Sequence, residues 1–307
     1  MKKSGLSAAG SKRRRDLIFY CCVLALPVIQ YCIFYIGVNF NSVLMAFQSI
    51  GIGGNTAFAG FENFARVFND LFKLPELISS WKNSFVAYSV SLVIGIPLAL
   101  LFSYFIAKQK PGHKVFSVFL FLPTILPSFS LTMIFRRVVD ASIPQLLSDL
   151  FGIAMDGLID NNATAFGTIL FYSVWISFGG NVLLYVGAMK GISDSVVEAA
   201  ELDGATGFRE FYYITLPLIY STIVTFITIG ISGIFTNQLA LFNFYNVVAP
   251  SQLQTFGYYM YAGIAKAQGS LTEYPYYATM GIVFTVIAAP LVFIAKRLLE
   301  KYGPSAD

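Results

Sequence analysis

Five carboxylates crowd one short stretch of an otherwise weakly charged chain. Residues 190–217 carry Asp194, Glu198, Glu201, Asp203 and Glu210 against two bases, Lys190 and Arg209. That composition does not hold a loop to an anionic membrane; it suits a protein contact. Other reactive groups are sparse. The one histidine, His113, lies in a short basic loop, and Cys21, Cys22 and Cys32 lie in the first apolar stretch without a Cys-x-x-Cys spacing. A histidine triad, a zinc site or a disulfide framework has almost no material, and no metal site is expected. A Gly-x-x-x-x-Gly-Lys-Ser/Thr phosphate loop is also missing, so this chain is not expected to hydrolyse ATP.

A second group of polar residues sits in apolar surroundings. Ser177, Asn181 and Tyr185 follow each other at i, i+4 and i+8, with Gly179 and Gly180 leaving room beside them. Thr236, Asn237 and Gln238 close a later apolar segment. These groups either line a pathway or hydrogen-bond between helices.

The elements that must position both groups are membrane helices. Of 307 residues, 56% are hydrophobic and only 12% charged, about half the usual share of charge for a globular domain. With 30 Phe and 18 Tyr the chain would not stay solvated as a disordered one. Six stretches have the length and apolarity to span a bilayer: 17–38, 84–107, 115–135, 165–189, 218–235 and 276–295. The fifth has the loosest bounds, because no charge occurs from Phe211 to Ala265, and a re-entrant piece at 239–248 is the alternative. Pro123 and Pro127 flank Thr124, which points either to a bend in the third span or to ordinary helix packing.

Charge sets the orientation. Lys2, Lys3, Lys12, Arg13, Arg14 and Arg15 precede the first span, and a nucleic-acid tail is disfavoured because an apolar segment follows at once. With both ends inside, the inner segments hold 14 Lys and Arg and the outer ones 6. The outer segment 39–83 has a turn at Gly51–Gly54 and an amphipathic helix over 62–72.

Within 190–217, Ser195 and Glu198 have the spacing of a capping box, with Ser193 as the rival cap. The helix should stop at Gly204, which can adopt the left-handed conformation of a sharp turn. Thr206 can then cap a second helix, and Pro217 marks a kink into the fifth span.

Glu198-Ala199-Ala200, Gly204 after three more residues, and Ile214-x-Leu216-Pro217 after nine more resemble the EAA motif of ABC-importer permeases. The whole pattern is present, with Asp203-Gly204-Ala205 as in many members. Phe61-Glu62-Asn63-Phe64, Phe121-Leu122-Pro123, Thr215-Leu216-Pro217-Leu218 and the ending Leu298 to Gly303 are similar to the carbohydrate-uptake branch, the maltose and glycerol-phosphate permease family. The resemblance covers 17–303. It implies an all-α integral membrane fold of six transmembrane helices, the type I ABC importer permease fold, with a cytoplasmic coupling helix. Glu198, Ala199, Ala200, Asp203 and Gly204 are then the residues coupling to an ATPase. By the same resemblance Ser177, Gly180 and Asn237 fall where the family's maltose permease contacts sugar, and Gly180 stands where an aromatic occurs there. Asn181 and Tyr185 join them as pathway candidates, since sugars call for hydrogen-bonding groups and aromatic faces.

The resulting expectation is a basic tail over 1–16, a transmembrane permease domain over 17–295 and a cytoplasmic tail over 296–307, in a bacterial inner membrane. The chain would carry no cofactor of its own, ATP-Mg being bound by the partner ATPase. The expected partners are a second permease, two ATP-binding cassette subunits, an extracellular or periplasmic solute-binding protein and a sugar, with no nucleic acid. A polyamine or phosphate ester is the alternative solute. A membrane enzyme or proton-coupled transporter lacks the intramembrane Asp, Glu or His it would need, while sodium coupling through backbone carbonyls stays open.

Overall fold

The computed structural model describes residues 4–304; Lys2 and Lys3 of the basic tail lie outside the described residues. Among the described residues, five helices are long and apolar enough to cross a membrane: Arg14–Ala46, Pro75–Ala107, Ala165–Lys190, Tyr220–Tyr245 and Leu271–Tyr302. A sixth span is formed if the pair His113–Ile125 and Ser128–Phe151, bent by 107°, counts as one. The first and second spans are longer than their apolar stretches, extending to Ala46 and starting at Pro75.

The third span is bent, the first of the two readings that Pro123 and Pro127 allow. No straight helix covers 115–135; the chain is extended at Leu126 (ψ 144°) and Pro127 (ψ 126°). Proline lacks an N–H and pushes the residue before it out of the helical region, so Pro127 breaks the helix. Pro123 stays inside the first piece.

Other prolines are handled differently. Three times a five-residue π turn stands immediately before a helix that carries proline at its start: Ser91–Gly95 before Pro97, Val138–Ser142 before Pro144, and Phe211–Thr215 before Pro217. A proline ring clashes with the carbonyl four residues back, and widening the turn by one residue moves that carbonyl away.

The chain divides into two compact units. The smaller comprises Met1–Val67 and Ser270–Ile282. Within this mostly helical fold, strands Gln48–Ile50 and Thr56–Phe58 pair antiparallel, Ser49 opposite Ala57, around the turn that the glycines announced. Asn63 ties the unit together, its amide donating to the carbonyls of Ala46 (2.9 Å) and Gln48 (2.8 Å). The Thr279 hydroxyl also donates to Ala46, at 3.2 Å. Arg66 lies 4.4 Å from the centre of the Tyr276 ring and 3.2 Å from Glu273. The amphipathic helix forms as expected, over Glu62–Lys73.

The larger unit comprises Phe68–Gly269 and Val283–Asp307 and carries both candidate groups. One apolar cluster joins Leu131, Ile169, Tyr172, Leu241, Phe244 and Tyr258. Another joins Ala99, Leu100, Val182, Tyr185, Phe211 and Ile223. After Thr236 the fifth span breaks, and the short helix Leu241–Tyr245 occupies the place of the expected re-entrant piece. Asn83 holds the segment that follows, donating to the carbonyls of Gln252 (2.8 Å) and Gln254 (2.9 Å).

Much apolar surface remains uncovered. The most apolar stretch of the first span has none of its residues buried. An apolar helix face of that extent is covered by lipid or by another chain.

Candidate functional site

The acidic segment folds into a short helix, a glycine turn and a second helix. The first runs Asp194–Leu202, and its N-cap is Ser193, not Ser195. The capping box does not form, because the Ser195 hydroxyl turns to the Ser193 hydroxyl at 2.7 Å. Asp194 still places negative charge on the first turn, where the helix dipole favours it.

Gly204 ends the helix with φ +81°. Its N–H donates to the carbonyl of Glu201 at 3.1 Å, and the Ala205 N–H donates to that of Ala200 at 2.8 Å. These are the two bonds of a Schellman motif, which satisfy the last carbonyls of the helix. A Cβ on Gly204 would meet nothing within 4 Å, so the demand for glycine is conformational rather than steric.

The second helix is not capped by Thr206. Its N-cap is Gly207, at φ +59° and ψ −119°, a backbone region that side chains all but forbid. The helix then runs from Phe208 through the π turn to Leu218 and breaks at Ile219 (φ −98°) before Tyr220–Thr236.

Four of the five coupling candidates, Glu198, Ala199, Asp203 and Gly204, are exposed, whereas Ala200 is buried. Large apolar side chains stand out among the acids: Leu202 is 90% exposed and Phe208 71%. An acidic loop that bares Leu and Phe has the composition of a docking surface.

One acid behaves differently. Glu210 is buried, with the Lys108 ammonium 2.5 Å from one carboxylate oxygen and the Tyr104 hydroxyl 3.0 Å from the other. The Tyr104 hydroxyl also lies 2.9 Å from the Gly207 carbonyl. Sequence reasoning missed this cluster. The available signal was Tyr104 and Lys108, four apart at the end of the second span.

The pathway candidates separate. Ser177 is exposed and its hydroxyl donates to Val174 in its own helix, at 2.8 Å. Gly180 is exposed with open space beyond it, and Asn181 is half-buried. Gly179 leaves no room: a Cβ there would come within 2.5 Å of the Thr124 methyl and 2.9 Å of the Leu120 carbonyl, so it is where the third span packs. Tyr185 lies in the core, its ring 4.7 Å from Phe226 and its hydroxyl without a partner among the described residues. A step of four residues overshoots a helical turn by about 40°, so over eight residues the stripe rotates from the surface into the core. Asn237 is exposed but committed locally, its side-chain oxygen accepting from the Leu239 N–H at 2.8 Å.

Comparison with known proteins fits this arrangement. Residues 78–304 match the family described as binding-protein-dependent transport system inner membrane component. The arabinooligosaccharides transport system permease of Bacillus subtilis is 24% identical over 277 residues, covering 88% of this chain and 85% of that protein. The maltose/maltodextrin permease of Salmonella typhimurium is 34% identical over 173 residues, which is 54% of this chain and 33% of that longer protein. A crystal structure of a bacterial ABC transporter that imports alginate contains a chain of the same fold, with a TM-score of 0.73, 21% identity and coverage of 96% of this chain and 99% of that one. With a family match that takes in the second span, the acidic loop and the last helix, this chain belongs to the binding-protein-dependent transport system inner membrane components.

Proposed function

We propose that this chain is one permease of an ATP-driven importer for a sugar or oligosaccharide, and that it couples to a separate ATPase through 190–217. One observation carries the coupling reading. A short helix closed by a glycine turn buries only Ala200 and bares Leu202 and Phe208 among exposed acids. The sugar class draws on the relatives, whose names specify arabinooligosaccharides and maltose or maltodextrin.

In this reading the partners are a second permease, two ATP-binding cassette subunits that bind ATP-Mg, and a solute-binding protein that delivers the substrate. The 14-to-6 bias of basic residues puts both termini and the acidic loop in the cytoplasm. ATP draws the two ATPases together, the short helices move with them, and the spans rock to open the cavity outward. Ser177, Gly180, Asn181 and Asn237 are the side of the pathway that this chain contributes. Tyr185 supports it from the core.

The test is purification of the chain with its co-expressed partners, followed by reconstitution. An ATPase and a second permease should co-purify, and ATP inside the vesicles should drive uptake of an oligosaccharide presented by its binding protein. Gly204→Val should lose that uptake. Purification without any ATPase, or uptake that ignores ATP, would overturn the reading.

A further inference from the structure

Glu210 has a role that the exposed acids of the same loop do not share. Only 3% of it is exposed, and a carboxylate so buried keeps its charge only with partners. It has two. Lys108 and Tyr104 come from one turn at the end of the second span, on the far side of the chain in sequence, and both reach Glu210 directly. The Tyr104 hydroxyl also lies 2.9 Å from the Gly207 carbonyl, so its one proton is shared between that carbonyl and the carboxylate. That carbonyl is turned toward it by the unusual backbone of Gly207.

Packing does not duplicate these links on the side of the short helix. A cavity of about 530 Å³ opens there, lined by Lys108, Gln109, Lys190, Asp194, Val197 and Glu210 among others. The apolar anchor of the second helix is Phe211, 5.0 Å ring to ring from Tyr104. It fixes the depth of that helix, and the charged groups fix its direction.

We propose that Tyr104, Lys108 and Glu210 form a positioning latch that makes the acidic loop and the end of the second span move as one body. Displacement of the short helix by the ATPase then reaches the second span through Gly207 and Glu210. This rests on the coupling reading of 190–217.

A latch built on a buried charge has an energetic signature that packing lacks. Lys108→Met leaves the buried Glu210 without its counter-charge and with only the Tyr104 hydroxyl as a partner, whereas removing both charges leaves no uncompensated carboxylate. The readout is transport per ATP hydrolysed by the complete importer in proteoliposomes. Lys108→Met should lower that ratio about tenfold with the ATPase still bound, and Lys108→Met with Glu210→Gln should regain about threefold over Lys108→Met alone. Lys108→Arg should keep at least about half the ratio, because it keeps the charge. If Lys108→Met does not assemble, Tyr104→Phe decides the matter: it keeps the ring against Phe211, removes the hydroxyl shared by Glu210 and Gly207, and should lower the ratio about threefold. A wild-type ratio in Tyr104→Phe, or a double variant no better than Lys108→Met, overturns the latch. Gly204→Val separates the two readings. If it uncouples transport while the latch variants behave as wild type, the latch alone falls. If wild-type protein binds no ATPase, the coupling reading falls and takes the latch with it.

Discussion

The fifth span is entered and left through left-handed turns, and the two are built by opposite means. On entry, Gly204 and Gly207 take positive φ on an exposed loop. On exit, Leu239 (φ +51°), Ala240 (φ +57°) and Asn246 (φ +53°) do so without any glycine. An L-residue in that conformation costs about 1–2 kcal/mol. The exit is held against that cost. The Leu239 N–H donates to the Asn237 side chain at 2.8 Å, and the Thr255 hydroxyl donates to the Asn237 carbonyl at 2.7 Å. The Tyr258 hydroxyl accepts from the Ala249 N–H at 2.8 Å and donates to the Asn246 carbonyl at 2.9 Å. Leu239, Leu241 and Tyr258 are buried around them. At the entry nothing stands within 4 Å of the place a Cβ would take on either glycine. Where surroundings are absent, the residue itself must supply the shape; where they are dense, they impose it.

That contrast can be broken most sharply at Gly204. Gly204→Val should nearly abolish transport in proteoliposomes, because a strain of about 1–2 kcal/mol in an unsupported turn is relieved by redirecting the backbone. Gly204→Asn, which tolerates the left-handed region, should retain most of it. Equal losses from the two would mean that the site lacks space rather than freedom.

At the exit the sensitive residue is a support, not a turn residue. Tyr258→Phe orphans a buried N–H and removes a partner of a carbonyl, so stability should fall by about 1–3 kcal/mol. The unfolding midpoint in detergent measures it, and ATPase co-purification should be unaffected. An unchanged midpoint would remove the support from the argument.

Glu198→Gln should matter less than either. Its side chain is exposed, and an ion pair at such a position is worth about 1 kcal/mol or less. A loss of transport as large as that of Gly204→Val would shift the weight of the loop from its shape to its charge.

The smallest effect belongs to Ala240→Gly. Strain relief and the added freedom of the unfolded chain, each about 1 kcal/mol, should offset one another and leave the midpoint unchanged. A large loss would mean that the methyl group, rather than the surroundings, fixes the exit.

This difference also separates what could be read from the sequence and what could not. Gly204 was legible because an exposed turn announces its own conformation, and the motif around it has a fixed spacing. Leu239 and Ala240 were not, because their conformation is imposed by Asn237, Thr255 and Tyr258 from outside the turn. The apolar stretches located the spans, yet their extensions to Ala46 and from Pro75, where polar residues interrupt the apolar run, carry no such signal. Ser195 and Thr206 had the right types for caps, but Ser193 and Gly207 had the right backbone. Glu210 read as one more acid of the loop. Its pairing with Tyr104 spans 106 positions, and no local pattern encodes a partner at that distance.

The π turns before Pro97, Pro144 and Pro217 carry a consequence for helical phase. One extra residue in a turn advances every later side chain by about 100° around the axis. The two halves of the second span therefore present faces that a regular 3.6-residue repeat would not align. Tyr104 and Lys108 lie beyond the turn at Ser91–Gly95, and their bearing toward Glu210 includes that rotation. Loss of a single residue from 91–95, several helical turns away, would swing both off the carboxylate without altering either one.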